Sequence, residues 1–165
     1  MFCYQCQETA KNTGCTKQGV CGKDPQLAKE LDNLVFECQE LSTLNHQLRL
    51  HKQDDLQASR MITEALFTTI TNSNFDKESV KTKIQYIRDK KHELKTRAHE
   101  NNIPLHNLKL TFLPPILGQS SILTEQDQDI RSLKQLIIYG LKGVAAYTSH
   151  AQRLGYEDNA IYSNL

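Results

Sequence analysis

Five cysteines occur in 165 residues, and four of them, Cys3, Cys6, Cys15 and Cys21, fall within the first 21. They lie in the stretch MFCYQCQETAKNTGCTKQGVCGKDP with the spacing C-x2-C-x8-C-x5-C. Four thiolates complete a tetrahedral set around zinc or hold a [4Fe–4S] cube with one sulfur per iron. Structural zinc ordinarily sits between two similar knuckles, so a second C-x2-C is expected of it. Here the second pair, Cys15 and Cys21, is separated by five residues. Such an irregular wrap suits an object larger than a single ion, and it favours iron–sulfur over zinc. Gly14, Gly19 and Gly22 flank these residues, and glycine permits dihedrals that turn backbone N–H groups toward cluster sulfur. Lys11, Lys17 and Lys23 stand close by in sequence and offer positive charge against a thiolate-bound cluster.

The rest of the composition narrows the context. The formal net charge is +1 and the basic residues are scattered, which argues against a nucleic-acid-binding surface. No apolar run approaches membrane-spanning length, and no basic segment leads into an apolar one as in a signal peptide. The expectation is therefore a cytoplasmic protein without nucleic-acid or membrane partners. In a reducing compartment clustered thiols hold metal or do redox chemistry rather than form a disulfide framework.

Helices must position such a loop. Asp24-Pro25 reads as an N-cap followed by proline at the first helical position. Leu27, Leu31, Leu34, Val35, Cys38, Leu41, Leu44 and Leu48 then recur at helical spacing, one buried stripe on a helix reaching about His51. Asp54 or Asp55 caps a second helix with Ile62, Ala65, Leu66, Thr69 and Ile70 facing inward. TNSNFD is a turn cluster, and a third helix follows with Val80, Ile84, Ile87, Leu94 and Ala98 on its apolar face. Lys91 interrupts that face, its stem expected to snorkel. Between Asn101 and Ser121, Pro104, Pro114, Pro115 and Gly118 stop any long helix, and the apolar residues among them suggest a connection packed over the bundle. Thr124 and Asp127 resemble a capping pair before a fourth helix, which Gly155 ends.

Other residues have ordinary expectations. Cys38 reads as a small buried hydrophobe. His46, His51, His92, His99, His106 and His150 form no chelating pair, and solvent or core positions suit them. Tyr139 and Tyr147 read as core aromatics, Tyr4 as packing or as a shield over the cysteines, and Glu8, Glu30, Glu37 and Glu40 as solvated or capping. Gly140 and Gly143, costly in a helix interior, suggest close helix–helix packing or room for a cofactor or for the N-terminal loop.

The wording MFCYQCQETAKNTGC and GVCGKDP resembles the N-terminus of hybrid cluster proteins, also called prismane proteins or hydroxylamine reductases. RSLKQLIIYGLKGVAAYTSHAQRLGYED resembles the same family's helix in the corresponding region, and NSNFD fits more loosely. The resemblance runs from Met1 to about Asp158. It implies that Cys3, Cys6, Cys15 and Cys21 bind a cubane [4Fe–4S] cluster. Family members are much longer, and their second, hybrid cluster takes histidine, glutamate and cysteine ligands from further along. No cysteine follows Cys38, so the hybrid site cannot be carried onto any residue here.

The expectation is then an all-α antiparallel helical bundle with an N-terminal cysteine-rich cluster-binding loop. Residues 1–24 form the iron–sulfur loop and 25–155 the bundle. Residues 156–165, ending in DNAIYSNL, read as the start of a truncated or continuing helix, as in a fragment, a truncated product or a subunit whose partner supplies the rest. The resemblance implies an electron-transfer module that feeds a redox partner protein or C-terminal catalytic domains missing from this chain. The full family reaction is reduction of hydroxylamine to ammonia, or of nitric oxide. The alternative is a zinc-stabilised helical interaction module without redox activity.

Overall fold

The structure, a computed structural model, describes residues 2–3, 14–70, 75–105 and 125–164. Among the described residues five helices follow in order: α1 (Pro25–Leu50), α2 (Leu56–Ile70), α3 (Lys77–Glu100), α4 (Gln128–Arg153) and α5 (Asn159–Asn164). Among the described residues no strand forms, and the one β-type pairing is an isolated antiparallel bridge between Cys3 and Cys15. The fold is all-α, as expected.

Aspartate begins each of the four long helices. Asp24 accepts from the Leu27 N–H at 2.8 Å, with Pro25 at the first helical position. Of the two candidates for α2, Asp55 does the capping, accepting from the Ala58 N–H at 2.8 Å. Asp76 accepts from Glu78 and Ser79, and Asp127 from Asp129 and Ile130. Each satisfies backbone donors that would otherwise lack partners and contributes about 1 kcal/mol relative to alanine. Thr124 and residues 71–74 of the turn cluster lie outside the described residues, as does most of the proline-containing connection.

Three helices stop in the same way. Lys52, Asn102 and Gly155 take positive φ one residue past the caps of α1, α3 and α4. The next N–H in each case reaches back: Gln53 to the Leu48 carbonyl, Ile103 to Ala98 and Tyr156 to Ala151, at 2.9–3.0 Å. These are Schellman motifs, which satisfy carbonyls left open by the last turn.

Helix directions follow from the side-chain pairs. Lys77 meets Asp24 at one end of α1, Lys91 meets Glu37 and Glu40 midway, and Asn101 meets Gln53 at the other end, so α1 and α3 run parallel. Lys83 pairs with Glu64 and Lys90 with Asp55, so α2 runs against α3. Asn45 ties the α1–α2 corner, donating to the Asp55 carbonyl and to Ser59 Oγ and accepting from the Asp55 N–H. The core lies between α1, α2 and α3: Leu31, Leu34, Leu41, Leu48, Ala58, Ile62, Val80, Ile87, Leu94 and Ala98 are buried there.

α4 and α5 attach through α2. His150 meets Phe67 edge-on at 5.5 Å, Arg153 lies over the same ring, and Arg60 pairs with Glu157 and lies over Tyr162. The inward face of α4 is small and polar, with Lys142, Ala145, Thr148 and Ser149 buried. Apart from Leu141, which packs partly buried against the core, most of its large apolar residues point the other way. Ile130, Leu133, Leu136, Ile137, Val144 and Tyr147 are exposed, Leu136 by 68% and Tyr147 by 82%. Tyr139 and Tyr147 are thus surface residues and not core aromatics. Gly140 and Gly143 do not mark close helix–helix packing among the described residues, because a Cβ built on either meets nothing within 4 Å. Both lie on the same open surface.

Candidate metal centre

Cys3 and Cys15 are joined through their backbones. The Cys3 N–H donates to the Cys15 carbonyl and the Cys15 N–H to the Cys3 carbonyl, both at 2.9 Å. Residues that exchange both bonds in an antiparallel pair stand directly opposite each other, with side chains on one face. The two thiols therefore leave the bridge on the same side, and both are buried, at 7% and 5% exposure. They pack on Ala28, in the second turn of α1.

Glycines make that approach possible. Gly14 has φ +88°, and a Cβ there would stand 2.7 Å from the Phe2 ring. Cys21 follows in a tight turn, where the Gly19 N–H donates to the Lys23 carbonyl at 2.8 Å and the Gly22 N–H to Gly19 at 2.9 Å. A Cβ on Gly19 would lie 3.2 Å from Cys21 Sγ and 3.2 Å from the Lys23 backbone nitrogen. The Cys21 side chain thus folds back over a position with no room for a larger residue.

The structure brings Cys3 and Cys15 together and holds Cys21 half-buried on the adjoining turn. Among the described residues no three metal-ligating side chains converge. Cys6 and Tyr4 lie outside the described residues. The donor set fits an iron–sulfur group in kind: cysteine sulfurs, two of them buried and leaving the bridge on one face, with glycines where close approach is required.

Cys38 sits in the α1 core as a small hydrophobe. Burial pushes its thiol up to about 12, against the opposing field of Lys142. It stays protonated at neutral pH and is a poor ligand, since the thiolate is the metal-binding form.

The described residues also hold buried charged side chains that the sequence reading found only in part. Lys23 is 1% exposed, Lys142 of α4 is 4% exposed, and Asp32 of α1 is buried with them. Burial, with Lys23 adding to it and Asp32, Cys3 and Cys38 opposing it, lowers Lys142 to about 8. Lys17, by contrast, is exposed. Sequence reasoning passed over Lys142 and Asp32. The available signal was a lysine sharing a face with Ala145 and Ser149, where small residues mark the side that packs. Glu37, read as solvated or capping, is also buried. It accepts from Arg88 Nε at 2.6 Å and from Lys91, which ties α1 to α3 and gives Lys91 ion-pair partners in place of a snorkelling path to solvent.

A family model described as Prismane/CO dehydrogenase family matches residues 1–165. The hydroxylamine reductase of Bacteroides fragilis (strain YCH46) is 42% identical over 166 residues, covering 99% of this chain and 31% of the relative. That of Porphyromonas gingivalis (strain W83) is 44% identical over 170 residues, covering 98% and 31%. That of Caldanaerobacter subterraneus subsp. tengcongensis is 39% identical over 173 residues, covering 98% and 32%. The chain thus spans about a third of the length of the curated relatives it matches. A family model that matches the chain from end to end decides its membership: the chain belongs to the Prismane/CO dehydrogenase family.

Proposed function

We propose that Cys3, Cys6, Cys15 and Cys21 hold one [4Fe–4S] cluster and that the chain is the electron-transfer module of a hydroxylamine reductase. The observation that carries this reading is the backbone pairing of Cys3 with Cys15, which sets two buried thiols side by side at the end of a helical bundle. A bound [4Fe–4S] cluster supplies one-electron storage and transfer.

The chain's own residues do the rest. The bridge and the Gly19–Lys23 turn fix the cysteine backbones. Ala28 closes the side facing α1, and Phe2 covers Gly14. Rigid, shielded ligands keep reorganisation small when an electron arrives. In this reading residues 1–24 form the cluster loop, 25–155 the bundle that carries it, and 156–165 include the short helix α5.

The site that reduces hydroxylamine lies outside this chain, in a partner protein or in the further length that the relatives have. The open face of α4 supports this, because contiguous exposed apolar surface marks an interaction site. Among the described residues no helix is long and apolar enough to cross a membrane.

Anaerobically reconstituted protein should hold about four irons per chain and show a broad visible absorbance that dithionite bleaches. Cys15→Ser should lose that band. Tightly bound zinc with no visible band would sink the redox reading in favour of a structural zinc module.

A further inference from the structure

We propose that Phe75 is a positioning residue for the candidate ligand Cys21: it clamps the Cys21 turn to the start of α3 and so retains the iron that Cys21 would hold. The inference rests on the cluster reading above and adds a residue that is not a ligand. It also gives a role to the phenylalanine of TNSNFD, a stretch that reads in sequence only as a turn.

The described cysteines of the loop are held by different means. Cys3 and Cys15 are joined through two backbone bonds and are buried. Cys21 lies further on, half-buried, in the turn closed by the bonds from Gly19 to Lys23 and from Gly22 to Gly19. Those bonds fix the shape of the turn. Its place against the bundle depends on contacts from outside the loop.

Two contacts come from the segment that leads into α3. The Phe75 ring stands beside Gly22, the residue after Cys21, 3.9 Å from where a Cβ would be. Gly22 has φ +95° and no side chain, so the ring meets bare backbone. Lys77 Nζ reaches Asp24 Oδ2 at 2.6 Å and Gln26 Oε1 at 3.2 Å, just past the same turn. The ion pair brings the start of α3 to the start of α1, and the ring fills the space beside Gly22. Phe75 is 42% exposed, so its truncation removes this contact without opening the core. Cys21 is also the most exposed of the described loop cysteines, and an iron bound there is the one that oxidant and water reach first.

The first readout needs no metal. In the metal-free chain, iodoacetamide labelling located by mass spectrometry should modify Cys21 about tenfold faster in Phe75→Ala than in the parent, with Cys15 labelled at the parent rate. Tenfold is the factor that about 1.4 kcal/mol of lost holding gives. Phe75→Tyr, which keeps the ring, should match the parent. So should Tyr86→Ala, which removes an exposed ring further along α3.

The second readout uses reconstituted protein and ferricyanide. One-electron oxidation of [4Fe–4S]2+ with rupture of its iron–Cys21 bond gives [3Fe–4S]+ and Fe2+, and ferricyanide accepts the electron. The electron paramagnetic resonance of the three-iron form should grow about tenfold faster in Phe75→Ala than in the parent.

Equal Cys21 labelling in the parent and Phe75→Ala would overturn the proposal and leave the cluster reading intact. So would a rise at Cys15 as large as that at Cys21, which marks general loosening, or a Phe75→Tyr effect equal to that of Phe75→Ala. If Phe75→Ala loses its helical circular dichroism, Phe75→Leu replaces it: faster Cys21 labelling supports the clamp, and the parent rate overturns it. A labelling contrast without a three-iron contrast would overturn the role in retaining iron. A parent chain that takes up zinc alone would overturn the cluster reading and the retention of iron with it, while the labelling contrast still decides the clamp.

Discussion

α1 and α4 are each 26 residues long, and each carries large apolar side chains at helical spacing. In α1 that stripe is the core: Leu27, Leu31, Leu34, Cys38, Leu41, Leu44 and Leu48 are all buried between α2 and α3. In α4 the corresponding row, Ile130, Leu133, Ile137, Val144 and Tyr147, faces outward, and the helix docks on α2 by its small side. Periodicity states that a helix has an apolar face. It does not state which neighbour covers that face. The buried stripe of α1 belongs to this chain's own folding, whereas that of α4 is surface available to another protein surface.

Truncation should separate the two stripes most sharply. Leu41→Ala removes a fully buried side chain and should cost about 3 kcal/mol, read as a fall in the urea midpoint. Leu136→Ala on α4 should stay within about 0.5 kcal/mol. Equal losses would mean that the α4 face is covered in solution and that the contrast is wrong.

Next in size is the charged corner where α1, α2 and α3 meet. Asp55 caps α2 and pairs with Lys90 at 3.0 Å and Arg97 at 3.1 Å. Asp55→Ala removes both roles and should cost about 2–3 kcal/mol. Burial on its own would raise the Asp55 carboxyl, but the Ala58 N–H, Lys90 and Arg97 together hold it below its ordinary 3.8. Its stabilisation is therefore complete above 3.8 and is lost as pH falls through the lower native value. Burial on its own would lower Lys90, yet Glu93 and Asp55 raise it above 10.5, so its contribution is complete below 10.5 and fades as pH rises past it. Unfolding curves across pH should show both flanks in the parent. Asp55→Ala should flatten the acid one, and an unchanged acid flank would show that this corner is not its source.

The smallest effect compares how the two helices end. α1 stops on Lys52 and α4 on Gly155, each at positive φ in the same motif. A side chain at that φ is strained where glycine is not. Lys52→Gly should stabilise by about 0.5–1 kcal/mol, and Gly155→Lys should destabilise by a similar amount. Thermal midpoints of the two variants moving in the same direction would break the symmetry.

Much of this molecule is local chemistry and was readable as such. Asp24, Asp76 and Asp127 cap the backbone a few residues ahead of them, and Gly155 ends α4 because glycine tolerates the turn that follows. The stripe of α1 buries because seven apolar residues on one face leave a helix no soluble alternative. The candidate ligands were readable too, since four cysteines in a short loop are informative before any fold is known. Other features were hidden because they depend on what arrives from elsewhere in the chain. Glu37 appears solvated until α3 lays Arg88 and Lys91 across it. Tyr139 and Tyr147 appear to be core residues until α4 is seen to dock by Ala145, Thr148 and Ser149. The sequence by itself determined the long helices, their caps and the stop at Gly155, because those depend on neighbours within a few residues. Tertiary structure alone decided that Cys3 stands opposite Cys15, that Lys142 of α4 is buried, and which face of α4 meets solvent. Burial and electrostatic fields depend on distance in space, and chain separation does not encode it.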